Sequence, residues 1–359
     1  MKMTTHVKDS SSPLSQLLAL SLILCLAILS NPTAAQAATD DKIIFLHHST
    51  GAGVWSGGAG VSAWFSSYNS THGTSYDISE RSYPTNGYPW ENYPYDYWNL
   101  WINGACNSSV PAMACLPKLT SDYDVVIYKH CFPGAGVIAD DGNPSVSSDV
   151  KTLANYKLQY RALRQLMDGY TDNKFIVWTL APLHRNATDA DQAARAGEFV
   201  NWVKTDYLTE DGNSHPNIFI FDFFGLVAGT DNFLKYEYEG SHDGDDSHPN
   251  STANAYVSPL FSQFIVDTAD CSYKDARIGG DTPVYYDTPK DAYDHCAEGG
   301  TVQLHTSSFD GPLTLDNPAA LTLEGGLGCD YSFNQGYSSI TGPVTITGGA
   351  VTIERIIIR

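Results

Sequence analysis

Apolar runs alternating with amphipathic stretches dominate residues 41–268. "KIIFL" (42–46), "DVVIYK" (124–129), "KFIVWTL" (174–180) and "NIFIFD" (217–222) are short and mostly apolar, as strands buried on both faces are. "SYDIS" (75–79) is a weaker fifth strand. Helical spacing fills the gaps. Val61, Trp64, Phe65 and Tyr68 fall at i, i+3, i+4, i+7, and Val150, Leu153, Tyr160, Leu163 and Met167 form a longer stripe. Phe199, Trp202 and Val203 follow an N-cap at Thr188 or Asp189, and Ala253 to Phe264 follow one at Asn250 or Ser251. Strands alternating with helices predict an α/β fold with a doubly wound parallel sheet covered on both faces. Its functional side chains belong at the carboxyl ends of the strands. The stretch from Tyr83 to Trp101, "YPTNGYPWENYPYDYWNLW", predicts a long irregular loop built on aromatic rings.

The rhythm changes after residue 270. "DTPKDAYDHCAEGG" (287–300) predicts a short helix with Thr288 as N-cap, Pro289 at N1 and a stop at Gly299. Then "TVQLHT", "PLTLD", "ALTLEGG", "SSITG", "PVTITGG" and "VTIERIIIR" read as short alternating strands split by Gly, Asn and Pro, as in a β-solenoid or small sandwich. The expected division is 1–38, 39–270 and 271–359.

The first division is a targeting segment. Lys2 and Lys8 precede an apolar core, Leu17 to Leu29, and a small-residue stretch, Ala34 to Ala38. That is a cleaved secretory signal, with cleavage near Ala37 or Ala38, and its core is short for a membrane span. The mature protein is expected to be secreted, periplasmic or at the cell surface. Cleavage removes two cations, Lys2 and Lys8, and one anion, Asp9, moving the net charge from −20 to −21. So acidic a chain argues against nucleic acid and anionic lipid as partners. Six of the seven cysteines remain, and an exported chain oxidises them. Cys106 and Cys115 flank a short Pro-containing loop and are expected to pair. Cys131, Cys271, Cys296 and Cys329 allow three pairings, and the sequence does not choose among them.

The chemistry gathers at two places. In "FLHHSTGAG" (45–53), Ser49 follows the first strand and stands at a turn where Thr50 and Gly51 bring candidate oxyanion donors beside its hydroxyl. A serine needs a base, and "GDDSHPN" (244–250) supplies one: Asp245 and His248 have Asp-x-x-His spacing just before the last helix. Lys129, His130 and Gly134, in "YKHCFPGAG" after the second clear strand, are further oxyanion or pocket candidates. His184 follows the third strand and is either pocket-adjacent or solvated. The tyrosines of 83–101 either stack on sugar rings or pack the loop. His47, His48, Asp245 and His248 are all metal-ligand types, but neighbouring strand residues point to opposite faces, so no metal site is assigned and no organic cofactor is called for.

Serine after the first strand, Asp-x-x-His-Pro before the last helix, and βα alternation between them resemble the SGNH/GDSL hydrolases over about residues 41–268. "LKYEYEG" (234–240) is similar to that family as well. The resemblance implies a flavodoxin-like serine esterase acting through an acyl-enzyme, with Ser49 as nucleophile, His248 as base and Asp245 as orienting acid. It implies a small-molecule or polysaccharide ester as substrate. The chain departs from the family in having His47-His48-Ser49 where Gly-Asp-Ser is usual, and in lacking the Gly-x-Asn-Asp block. A catalytically impaired surface-binding or structural protein is the alternative those departures leave open. Residues 280–359 resemble a short β-helix segment of bacterial exported proteins, which implies a surface- or carbohydrate-facing accessory.

Overall fold

The five predicted strands of the first part form one sheet. In the computed structural model, which describes residues 41–359 except 86, 271–273, 281, 329–330 and 332–335, these are β1 (Lys42–His47), β2 (Asp77–Ser82), β3 (Val125–Tyr128), β4 (Lys174–Trp178) and β5 (Ile218–Phe221). The proposed signal segment, Cys271 and Cys329 lie outside the described residues. All strand pairs in this sheet are parallel, in the order β2-β1-β3-β4-β5, the flavodoxin-like order of a doubly wound sheet. The apolar runs have no polar side because both faces are covered. Ile44, Leu46, Val126, Tyr128 and Val177 pack with Tyr97, Tyr156, Tyr160, Phe199 and Trp202 on one face. Ile43, Phe45, Val125, Ile127 and Trp178 pack with Val61, Phe65, Val257, Phe261 and Ile265 on the other. The described helices here are α1 (Thr50–Trp55), α2 (Val61–His72), α3 (Pro94–Trp101), α4 (Leu116–Asp122), α5 (Leu153–Met167), α6 (Ala190–Thr205), α7 (Phe223–Val227) and α8 (Ser251–Ala269).

Several boundaries follow from local chemistry. Helix α5 begins at Leu153 because the Thr152 side chain caps the Asn155 N–H, leaving Val150 outside the helix and exposed. Asp189 and Asn250 are the N-caps of α6 and α8, each accepting first-turn N–H groups. The aromatic stretch is only half a loop. Pro94 opens α3 at N1, and Asp96 accepts from the N–H groups of Glu91 (2.9 Å) and Tyr93 (3.4 Å). Cys106 and Cys115 form the expected disulfide, while Cys131 and Cys296 are buried free thiols. No helix among the described residues is long and apolar enough to cross a membrane.

The C-terminal strands run in parallel columns. β8 (Thr301–His305), β11 (Ala320–Leu327) and β14 (Ala350–Glu354) form one column. β9 (Ser308–Asp310), β12 (Ser338–Thr341) and β15 (Ile356–Ile358) form a second, and β10 (Leu313–Leu315) pairs with β13 (Val344–Ile346). β6 (Ala276–Ile278) lies antiparallel between β7 (Val284–Tyr286) and β8. Alternate residues Val302, Leu304, Leu313, Leu315, Leu321, Leu323 and Ile340 share an apolar cluster with Tyr293 of α9 (Pro289–His295). The expected helix over 287–300 is thus limited to 289–295. "VTIERIIIR" makes two strands instead of one, because Arg355 turns the chain at φ 51°.

Candidate active site

β1 delivers its last side chains to the carboxyl edge of the sheet, and the chain turns sharply there. Ser49 sits at φ 39°, ψ −92°, outside the ordinary left-handed basin. Such a backbone costs about 1–3 kcal/mol and persists only where its surroundings enforce it. The turn after it is crowded. A Cβ at Gly51 would lie 2.5 Å from His47 Cβ and 2.9 Å from Lys129 Cδ, so only glycine fits. A Cβ at Gly57 would lie 2.3 Å from the Asn254 carbonyl oxygen, which brings the segment after α1 to backbone distance from α8.

That approach joins the two sequence-distant motifs. Ser49 Oγ lies 2.5 Å from His248 Nε2 across 199 positions of chain. His248 Nδ1 lies 2.5 Å from Asp246 Oδ1, which also accepts the His248 backbone N–H at 3.1 Å. A carboxylate only accepts, so Nδ1 carries the proton and Nε2 is left as acceptor for the serine hydroxyl. Burial pushes the Asp246 carboxyl up, but its bonds to His248 outweigh that and leave it below the usual range. The carboxylate that bonds His248 is therefore Asp246 and not Asp245. Asp245 is exposed, and its backbone oxygen takes the Ser247 hydroxyl at 3.5 Å. The i to i+2 Asx bond onto His248 N–H selects Asp246. "DDSH" offered both aspartates, and this short-range bond was the signal that separates them.

The other predicted site residues have the following contacts. The Gly51 N–H is committed to His48 O at 2.8 Å, and the Gly134 N–H to Cys131 O at 3.0 Å. Thr50 is buried and directs Oγ1 to Cys131 Sγ at 3.5 Å. His130 is a core residue: its Nδ1 meets Trp178 O (3.1 Å) and the Tyr160 hydroxyl (3.0 Å), and burial lowers its pKa to about 3. Lys129 is fully buried, with Nζ 3.5 Å from His130 O and within hydrogen-bonding range of the Cys131 thiol. Burial lowers its pKa. His184 is buried too and holds loops together.

Two features escaped the sequence reading. Cys131, one of the four cysteines whose pairing the sequence leaves open, is a free thiol with Sγ 3.7 Å from Ser49 Oγ. Burial pushes this thiol up, yet the Lys129 ammonium and hydrogen bonds with Thr50, Ser49 and Lys129 bring it down to about 7. Its backbone N–H donates to Asn92 O at 2.8 Å, tying the strand-end loop to the aromatic segment. The second feature is Glu239. Its buried carboxylate takes Arg185 Nε at 2.7 Å and His242 Nδ1 at 2.8 Å, with His184 Nε2 at 3.3 Å. Asn186 N–H donates to His184 Nδ1, and His184 N–H donates to Ser247 Oγ at 2.9 Å. This network binds the loop after β4 to the segment carrying Asp246 and His248. Among the described residues, no group of three or more His, Cys, Asp or Glu side chains is arranged to hold a metal ion.

No protein-family profile and no curated protein sequence matches the chain. Three solved structures are similar in part. One, described as a lipolytic protein of the G-D-S-L family from Desulfitobacterium hafniense DCB-2, shares 12% identity over 62% of this chain and 98% of its own, with a TM-score of 0.35. An acetyl xylan esterase, AlAXEase, shares 18% identity over 62% of this chain and 98% of its own, with a TM-score of 0.36. A carbohydrate esterase, whose active site displays divergent catalytic and non-catalytic binding functions, shares 13% identity over 64% and 70%, with a TM-score of 0.30.

Proposed function

We propose that this chain is an exported serine esterase that hydrolyses an ester borne by a carbohydrate through an acyl-enzyme. The observation carrying the reading is the Ser49–His248–Asp246 chain of hydrogen bonds, 2.5 Å at each step. In this reading Ser49 Oγ attacks the carbonyl carbon while its proton passes to His248 Nε2. Asp246 fixes the tautomer and stabilises the imidazolium that forms. Collapse of the tetrahedral intermediate breaks the bond to the alcohol, which leaves with the proton held by His248. Water then repeats the sequence, and the acid and free Ser49 result. The Ser49 N–H, at the head of α1, is the proposed oxyanion donor, since the Gly51 and Gly134 amides are committed elsewhere. The chemistry needs no metal or organic cofactor. The Cys106–Cys115 disulfide supports export, and we read residues 271–359 as a solenoid-like accessory wound in the parallel columns described above.

A fluorophosphonate probe tests the reading. Wild-type protein is expected to be labelled at Ser49 and to hydrolyse short acyl esters, and Ser49→Ala to do neither. Wild-type protein that is neither labelled nor active rejects the esterase in favour of a binding protein on the same fold, and full activity in Ser49→Ala rejects Ser49 as the nucleophile.

A further inference from the structure

The residue before the proposed nucleophile carries an aromatic plate. His48 is buried, and its ring lies flat against Trp90, with centroids 3.5 Å apart and planes 4° apart. His48 Nε2 donates to Pro84 O at 2.6 Å, which fixes the imidazole from its far end. Burial lowers the His48 pKa, so the stack is between neutral rings.

The segment holding Trp90 is anchored at several points. The Trp90 N–H donates to Tyr88 O at 2.9 Å, and the Glu91 N–H to Asp96 Oδ2 at 2.9 Å. Asn92 Nδ2 donates to Tyr83 O at 3.1 Å, while Asn92 O receives the Cys131 N–H. Trp90 is nevertheless partly exposed, and among the described residues His48 is its one ring partner. A second partly exposed ring, Phe132, stands edge-on to His248, with centroids 4.8 Å apart at 80°. Aromatic side chains held rigid before binding lose little conformational freedom when a ligand packs on them.

We propose that Trp90 is the platform of a carbohydrate subsite beside Ser49, stacking on the C–H face of a sugar ring. The inference deepens the esterase reading and rests on it for the placement of the ester. Its binding half is testable by itself. A flat uncharged surface with an indole N–H at its rim suits a neutral ring with alternating C–H and hydroxyl groups. A phosphorylated or anionic ligand would find no exposed cation in this stack.

The test titrates full-length Ser49→Ala protein with xylohexaose and with cellohexaose, following binding by calorimetry. Trp90→Ala in the same background is expected to weaken binding of at least one oligosaccharide tenfold or more, and Trp90→Phe to stay within threefold. In the Ser49-intact protein, Trp90→Ala should raise KM for glucose pentaacetate at least tenfold and leave ethyl acetate hydrolysis within twofold. Failure of both oligosaccharides to bind, or binding indifferent to Trp90→Ala, overturns the proposal. Equal losses on glucose pentaacetate and ethyl acetate also overturn it, since Trp90 would then only support His48. If the oligosaccharide results hold and no ester is hydrolysed, the subsite stands and the esterase reading fails.

Discussion

Exchanging Asp246 for asparagine isolates the contribution of one charge. The amide oxygen can still accept from the His248 N–H and Nδ1–H, so geometry is retained while the negative charge is lost. A hydrogen bond to a charged partner contributes about 1.5–3 kcal/mol net. The Asp246 side chain is 69% exposed, so water screens part of that field and the lower end applies. A loss of about 1.5–2 kcal/mol corresponds to a roughly 10- to 30-fold fall in kcat/KM, given about 1.36 kcal/mol per decade. This is far less than the roughly 10⁴-fold loss seen when a buried triad aspartate is amidated. The rate of fluorophosphonate labelling and the hydrolysis of a short acyl ester both report it. Asp245→Asn, one residue away and also exposed, should stay within twofold. Because the Asp246 carboxyl is held below its usual range, its contribution is complete above about pH 4 and fades as pH falls through the depressed value. If Asp245→Asn proves as damaging as Asp246→Asn, the assignment of the orienting carboxylate is wrong.

Three further outcomes follow. Gly51→Ala forces its methyl against His47 and Lys129 and should destabilise the fold by about 1–3 kcal/mol, read as a shift in denaturation midpoint with labelling of Ser49 impaired; an unchanged midpoint counts against the packing described. Lys129→Met should move the Cys131 titration upward from about 7, because burial then acts without an opposing cation. Thiolate ultraviolet absorbance against pH measures that shift, and a curve that does not move refutes the pairing. Glu239→Gln should destabilise the fold by about 2–3 kcal/mol by stranding partners of a buried carboxylate. Burial raises the Glu239 pKa, but its bonds to Arg185 and His242 lower it by more, for a net depression, so its stabilisation is complete above about pH 4.3 and is lost as pH falls. Melting temperature against pH should accordingly show a weaker acid decline in the variant.

The sheet was legible because strands buried on two faces have no polar register to obscure them. "KIIFL", "KFIVWTL" and "NIFIFD" all lie within a few residues of β1, β4 and β5. Ser49 and His248 were legible as a pair because a hydroxyl after β1 and an imidazole before α8 both belong at the carboxyl edge. The carboxylate bonded to His248 lies one position beyond Asp245, since two adjacent aspartates differ only in which one closes a turn onto His248. Helix α3 was hidden because aromatic residues carry little helix propensity, and its start depended on Asp96 capping from within the helix. Lys129 and Cys131 were read as separate residues. Gly51 leaves the room that the buried Lys129 side chain occupies beside it, which no spacing rule reveals.

The contact at Gly57 has a mechanical consequence. With the turn after α1 lying directly on the Asn254 backbone, the serine-bearing segment and the start of α8 are fastened without intervening side chains. The Asn254 side chain packs at Gly53 as well, so α1 and α8 meet at two successive points. The position of the imidazole then rests on residues 239–248, which the Glu239 ion pairs with Arg185 and His242 hold in place.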